Sequence, residues 1–547
     1  MRSSNNGLRF EGTSQDSDWA WSGPKESIAY ELSDIRNRLL DLDRVCYIVR
    51  ENDRIGVTCE GCAMPATGDE DFERLMSVPS VSVEQLGDPD FLAFHGAKYP
   101  YYAGSMANGI SSEEMVIALG RERILSGFGA SGLLPSQIES AIHHIQERLP
   151  SGPYAFCLIH SPGDQALERK TVDLYLKHGI TTVEASAFLD LTPHIVRYRA
   201  AGLRLSPKGR TEIGNKIIAK ISRREIATKF MHPAPAGILG ELVAQGGITD
   251  LQARLAESVP MADDMTVEAD SAGHTDNRPL VCLLPSVIAL RDEIQEKTGY
   301  EREIRVGAAG GIGTPQAALG AFMMGAAYVV TGSVNQSCVE AGTSQHTREL
   351  LAQAEMADVM MAPSADMFEM GVKVQVLKRG SLFPMRAQKL YDLYRNHHSI
   401  EEIPVQERKK IERQIFKQNL DAVWERTVRF FTERDPEQIR QAAQNPRRKM
   451  ALIFRWYLGL ASHWANTGEK GREMDYQIWC GPAMGAFNDW MRGAYLAGSD
   501  NRRVVDVARH ILTGAAYLYR VQSLRLRGLC MSAAYSRYCP MPFDGAS

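Results

Sequence analysis

The strongest constraint on this chain is a regular alternation. Between residues 99 and 333, short β-rich apolar runs give way to turn residues and then to helix-like stretches, eight times over. The expected strands cover 99–105, 123–128, 154–160, 180–185, 215–221, 265–269, 304–308 and 327–332. Continuous apolar runs such as KIIAKI and AYVVTG suit parallel strands covered on both faces. Helix starts sit between them: Ser112 before Glu113 and Glu114, Pro135, and Thr314 before Pro315. Eight such units in this span match an α/β fold of the (β/α)8 TIM barrel type. A doubly wound open sheet is the competing arrangement. It has fewer strands and carries one glycine fingerprint after its first strand. Here the glycine-rich run follows the seventh strand. The expected division is a small N-terminal α+β unit (1–95), the barrel (96–343) and a helical C-terminal extension (344–547). The N-terminal unit is read as a helix over 26–42 and a strand over 44–50; the extension has helices over 405–432 and 447–465.

Three loops carry chemistry. The first is Gly310-Gly311 after the seventh strand, with Gly332-Ser333 after the eighth. In barrels these two loops cradle a phosphate with backbone N–H groups, and a Cβ would block the approach. A single phosphate-bearing cofactor there points to FMN. The second is the loop after the sixth strand, which brings Asp270, Gly273 and His274 to the C-terminal face. A histidine there can give a proton or hold a developing oxyanion. The third is Ser105-Met106-Ala107-Asn108 after the first strand. Small residues let a flat ring lie against backbone, and the Asn108 amide offers both donor and acceptor to a ring edge. Lys220 lies within an apolar strand run, where a lysine is almost never left alone. It faces either an anionic ring edge or an internal ion pair with Glu184 or Glu268.

Other classes are disfavoured. The formal charge of −4 lacks the excess that a nucleic-acid binder needs. Residues 306–339 carry no charge, yet hold seven glycines and a proline. Their longest apolar part is too short for a membrane span. Met1 to Gly12 lacks the apolar core of a secretory signal. Nine scattered cysteines fit reduced thiols in the cytoplasm. Cys59 and Cys62 form a lone C-x-x-C without the second pair that zinc wants, so no metal site is expected.

The segments AGSMANGISSEEMVIALG, EADSAGHTDNRPLVCLLP, VGAAGGIGTPQAALGAFMMGAAYVVTGSVNQ and EMDYQIWCGPAMGAFNDW resemble the PfaD family within the nitronate monooxygenase-like FMN superfamily. The likeness runs from about Leu39 to the C-terminus. It implies a trans-acting enoyl reductase of polyunsaturated fatty acid or polyketide synthases, using FMN and NADPH. Its substrates would be 2-enoyl thioesters on acyl carrier protein; the helical C-terminal part is the expected element of a homodimer. The likeness further implies His274 as the catalytic group, with His160 in reserve. One departure is Ala272, where the family pattern has glycine. A nitronate monooxygenase is the alternative enzyme, and a non-catalytic scaffold the alternative from another class. The Cys480-Gly-Pro-Ala-Met-Gly485 turn either returns to the cofactor edge or merely joins helices.

Charge is unevenly spread. Residues 373–455 hold 19 Lys or Arg against 10 Asp or Glu. Acyl carrier proteins are acidic, so this region, including Arg447, Arg448 and Lys449, is the expected docking side.

Overall fold

The computed structural model describes residues 7–11, 19–67, 72–160 and 165–543. The reading of Met1 to Gly12 lies largely outside the described residues.

Eight parallel strands close into one barrel in chain order: β1 (Tyr101–Ala103), β2 (Leu125–Phe128), β3 (Ala155–Ile159), β4 (Thr182–Ser186), β5 (Lys216–Ile221), β6 (Asp264–Glu268), β7 (Arg305–Ala309) and β8 (Val329–Thr331). The ring closes where Val330 of β8 pairs with Tyr102 of β1. All eight expected strands are present. The period of two explains why β5 tolerates lysine. Ile217, Ala219 and Ile221 are buried in the layer shared with the helices, while Ile218 joins the barrel interior. The expected helix starts also hold. Ser112 accepts from the Met115 amide, Thr314 from the Ala317 amide, and Pro135 and Pro315 open their helices.

The barrel interior is layered. Its floor is a buried charge cluster in which Asp264 accepts from Arg305 Nε at 2.6 Å and lies 2.8 Å from His95 Nε2. Burial pushes the Asp264 carboxyl up, but Arg305 and His95 outweigh it and hold it at about 2. The middle layer is apolar, with Leu125, Ile218 and Tyr328, the last stacked on Phe91 at 4.2 Å. The mouth is charged again.

The N-terminal region forms a five-stranded antiparallel sheet (Arg54–Thr58, Cys46–Glu51, Glu73–Val78, Trp19–Ser22 and Cys62–Pro65, in that spatial order). The expected helix over 26–42 is interrupted, with a 3-10 turn at Lys25–Ser27 and the helix proper at Leu32–Leu40. The sheet shares one core with the C-terminal helix Val504–Leu526, where Ile35, Ile48 and Leu75 meet Leu518, Val521 and Leu524. Strand Leu8–Phe10 pairs with Leu529–Met531. Buried Arg520 donates to the carbonyls of Asp41, Leu42 and Arg44. Cys59 is buried and its thiol donates to the Arg38 carbonyl, while Cys62 is exposed.

Besides the strand Leu529–Met531, two features after residue 344 differ from a purely helical extension. Strands Val359–Pro363 and Lys373–Leu377 form an antiparallel hairpin. The stretch over 405–432 is broken into Val405–Ile411, a π-turn at Glu412–Phe416, and Leu420–Arg434, with Lys417 at a left-handed φ of 57° between the last two. The apolar core runs unbroken from the barrel into the C-terminal helices. We therefore propose the boundaries at 95 and 343 as divisions of role, not as independently folding units. No helix of the described residues is long and apolar enough to cross a membrane.

Candidate active site

The C-terminal mouth of the barrel gathers groups from β4, β5 and β6. Lys220 Nζ lies 3.3 Å from Glu268 and 3.6 Å from Glu184. Glu184 is wholly buried and also accepts from the Ser105 amide at 3.2 Å and from the Ser105 hydroxyl. Burial pulls the Lys220 ammonium toward neutrality, but the two carboxylates more than reverse this and hold it charged. The ion pair considered from sequence is thus present, with both carboxylates and not one. Replacing Lys220 with methionine leaves two buried acids uncompensated. The expected loss is about 3–5 kcal/mol of stability, read from urea unfolding of the flavin-free protein. A loss below about 1 kcal/mol would show that the cluster is solvated.

His274 stands on the loop after β6. Its Nε2 lies 3.1 Å from Asp366 Oδ2 and 3.2 Å from Ser364 Oγ, both contributed by the hairpin turn 364–372. Burial lowers the imidazole, but the hydrogen bond to Asp366, its charge and that of Glu268 outweigh this and raise it above its ordinary 6.5. Asp366 is pushed up by burial and, more strongly, down by His274, to well below the usual carboxylate range. The His274 side chain remains 25% exposed, so a ligand in the mouth can reach it. His160, at the end of β3, is only 11% exposed, sits 3.3 Å from Glu168 and stacks on Phe188 at 5.1 Å.

The other sequence-derived candidates fall into two groups. Asp270 accepts from Asn277 at 2.9 Å and from Gln375 at 2.6 Å. Both bonds go to Oδ1, which therefore pins the loop to the hairpin. Asn108 donates its amide to Ser462 at 2.9 Å on helix Pro446–Thr467, not into the mouth. Met106 and Ala107 form the turn beside it, where Ser111 Oγ accepts from the Met106 amide. Gly273 is glycine because the Glu268 carboxylate occupies the space of a Cβ.

The glycine loops test whether a phosphate group fits. A Cβ on Gly310 would strike the Ala269 backbone at 2.7 Å, so this residue is fixed by protein packing. A Cβ on Gly311 or Gly332 would meet nothing within 4 Å. Their backbones border open space at the ends of β7 and β8, as a phosphate cradle requires. Ser333 begins a short helix and its Oγ accepts from the Gly481 amide at 3.0 Å. The turn at 480–485 thus returns to the barrel mouth, where the Cys480 amide also donates to the Gln375 carbonyl and Gly313 abuts Ala483.

Asp366, Ser364 and Gln375 were not foreseen. They occupy a hairpin with no motif, and only their position over the mouth marks them.

Residues 21–80 match the family model of the fatty acid synthase subunit PfaD N-terminal domain. Residues 397–476 match the inserted helical domain of acyl-carrier-protein S-malonyltransferase. The chain is 47% identical over 517 residues to one of the polyunsaturated fatty acid synthase proteins of Thraustochytrium, covering 92% of this chain but 34% of that protein. It is 44% identical over 447 residues to the polyketide biosynthesis protein PksE of Bacillus subtilis, covering 81% of this chain and 58% of that protein. It therefore spans about a third to just over half of the length of these relatives. The enoyl reductase domain of MlnA, from the macrolactin cluster of Bacillus amyloliquefaciens, superposes with a TM-score of 0.77 at 38% identity. That match covers 81% of this chain and 100% of the domain. By these matches, and by its closed eight-stranded barrel, the chain belongs to the PfaD-like family that includes the MlnA enoyl reductase domain.

Proposed function

We propose that this chain is an FMN- and NADPH-dependent reductase of 2-enoyl thioesters on acyl carrier protein, serving polyunsaturated fatty acid or polyketide synthesis. The observation that carries the reading is the open backbone at Gly311 and Gly332, on the same barrel mouth as the His274–Asp366 pair. The backbone at Gly311 and Gly332, with Ser333, would hold the FMN phosphate. Bound flavin supplies the hydride that reaches the β-carbon, and NADPH renews it.

The chain's own residues supply the rest. Asp366 favours the protonated form of His274 and orients it. The imidazolium then hydrogen-bonds the thioester oxygen and gives a proton to the α-carbon. Glu184 and Glu268 hold Lys220 at the mouth, where its charge faces the cofactor side. His160 is the weaker candidate for the donor because its ring is stacked and engaged with Glu168.

The test is anaerobic oxidation of NADPH by the flavin-loaded protein. Turnover with a crotonyl or longer 2-enoyl thioester is expected. Oxygen uptake with a nitronate, and none with the thioester, would transfer the chain to the oxygenase reading. A purified protein that takes up no flavin would sink both enzyme readings.

A further inference from the structure

We infer that the acyl carrier protein docks on the turn around Lys417 and the adjoining helix Leu420–Arg434, over a cleft floored by tryptophans. This inference rests on the carrier-bound substrate proposed above.

The structure separates the basic residues of 373–455 into two groups. Arg448 is held at 2.5 Å by Glu369 and bonds Gln438, Arg447 lies over the Tyr394 ring, and Lys449 lies over Trp424 near Glu401. That cluster binds helices to one another, so the docking side expected at 447–449 moves elsewhere. Arg408, Lys409, Lys410, Arg413, Arg426 and Arg429 close no ion pair among the described residues, and all but Arg408 are exposed. Arg426 and Arg429 are three residues apart and share a helix face. Free cations grouped in this way favour an acidic partner.

The cleft beside them has a volume of about 310 Å³. Trp456, Leu460 and Trp464, spaced four residues apart, form one wall, and Lys417, Gln418 and Arg426 form the other. Glu469 is the single acid on its lining. Gln418 Nε2 is buried with no hydrogen-bond acceptor. A donor left in that state marks a place for an incoming oxygen. Lys417 adopts left-handed backbone directly after a π-turn, a combination found where function holds a chain in place. The phosphate of a phosphopantetheine arm matches this lining, with oxygens toward Gln418 and Arg426 and its methyl groups on the indoles.

Position supports the same occupant. The helix Pro446–Thr467 shows Trp456, Leu460 and Trp464 to the cleft, while its Ser462 and Asn466 contact Asn108 in the loop after β1. The cleft and the loop after β1, at the C-terminal end of the barrel, therefore lie on opposite faces of one helix. A carrier docked there presents its arm to the mouth without crossing the barrel.

The experiment compares R413E/R426E/R429E with the wild type, using a phosphopantetheinylated acyl carrier protein and an enoyl-N-acetylcysteamine thioester. The variant should weaken carrier binding, measured by tryptophan fluorescence, about tenfold or more. Its KM for the carrier-bound enoyl substrate should rise equally, with no change for the small thioester. The milder R426Q/R429Q should give a smaller shift, and a thermal melt confirms that each variant is folded. Wild-type carrier affinity retained in the triple variant overturns the docking site. If the wild type reduces neither thioester, the reductase reading fails, and the binding comparison still decides the docking site.

Discussion

Replacing His274 with alanine is expected to lower enoyl thioester reduction about a hundredfold or more, with flavin occupancy unchanged. In the proposed site His274 serves the thioester and not the cofactor phosphate, so cofactor retention and turnover should separate. A wild-type rate in the variant would remove His274 from the reaction. The companion change is Asp366→Asn, and its sign follows from the pair. His274 is raised above 6.5, so its proton is present below that value and is lost as pH rises through the higher folded value. Reduction should accordingly fall on the alkaline side. Asp366→Asn removes the raising partner and moves that limb to lower pH. The stabilising contribution of the pair has two edges. It is lost as pH rises through the raised imidazole value, and also as pH falls through the lowered carboxylate value. An unmoved alkaline limb in Asp366→Asn would mean that Asp366 holds the loop and does not tune the proton.

Gly332→Val should weaken FMN binding at least about a hundredfold while the flavin-free protein keeps its unfolding midpoint. No protein atom lies within 4 Å of the position a Cβ would take there, so the added carbons enter space left for a ligand. Gly310→Ala is the contrast. Its methyl meets the Ala269 backbone at 2.7 Å, at a φ of 87° that only glycine adopts at ease. This second variant should lose stability with or without flavin, by about 1–3 kcal/mol. Equilibrium flavin titration and chemical denaturation of both variants check the pair. If Gly332→Val binds FMN as the wild type does, the cradle lies elsewhere.

Much of the barrel was legible because its signals are local. A strand covered on both faces must be apolar along its length, and a helix start needs its cap next to it. Ser112, Thr314 and Pro315 therefore announce themselves in the sequence. The glycines of the seventh and eighth loops were legible because they follow strand runs directly, but only the fold shows that Gly310 is fixed by the Ala269 backbone while Gly311 and Gly332 border open space. The hairpin at Val359–Pro363 and Lys373–Leu377 was not. Its residues alternate weakly, and it is stabilised by packing over the mouth rather than by its own composition. The helix expected over 405–432 broke at Lys417, where no glycine or proline marks the break and only Asn419, the cap of the following helix, signals it.

The eightfold βα order and the residue types at the C-terminal ends of its strands follow from the order of amino acids alone. The pairings do not, and had to wait for the folded chain. His274 meets Asp366 from a separate hairpin, Lys220 meets two carboxylates on neighbouring strands, and Ser333 meets Gly481 from near the C-terminus. Folding also settles which of the basic residues remain free for a partner. The physical reason is that a periodic pattern fixes a backbone locally, whereas the neutralisation of a charge depends on which distant segment the closed barrel and its shared core bring within about 4 Å.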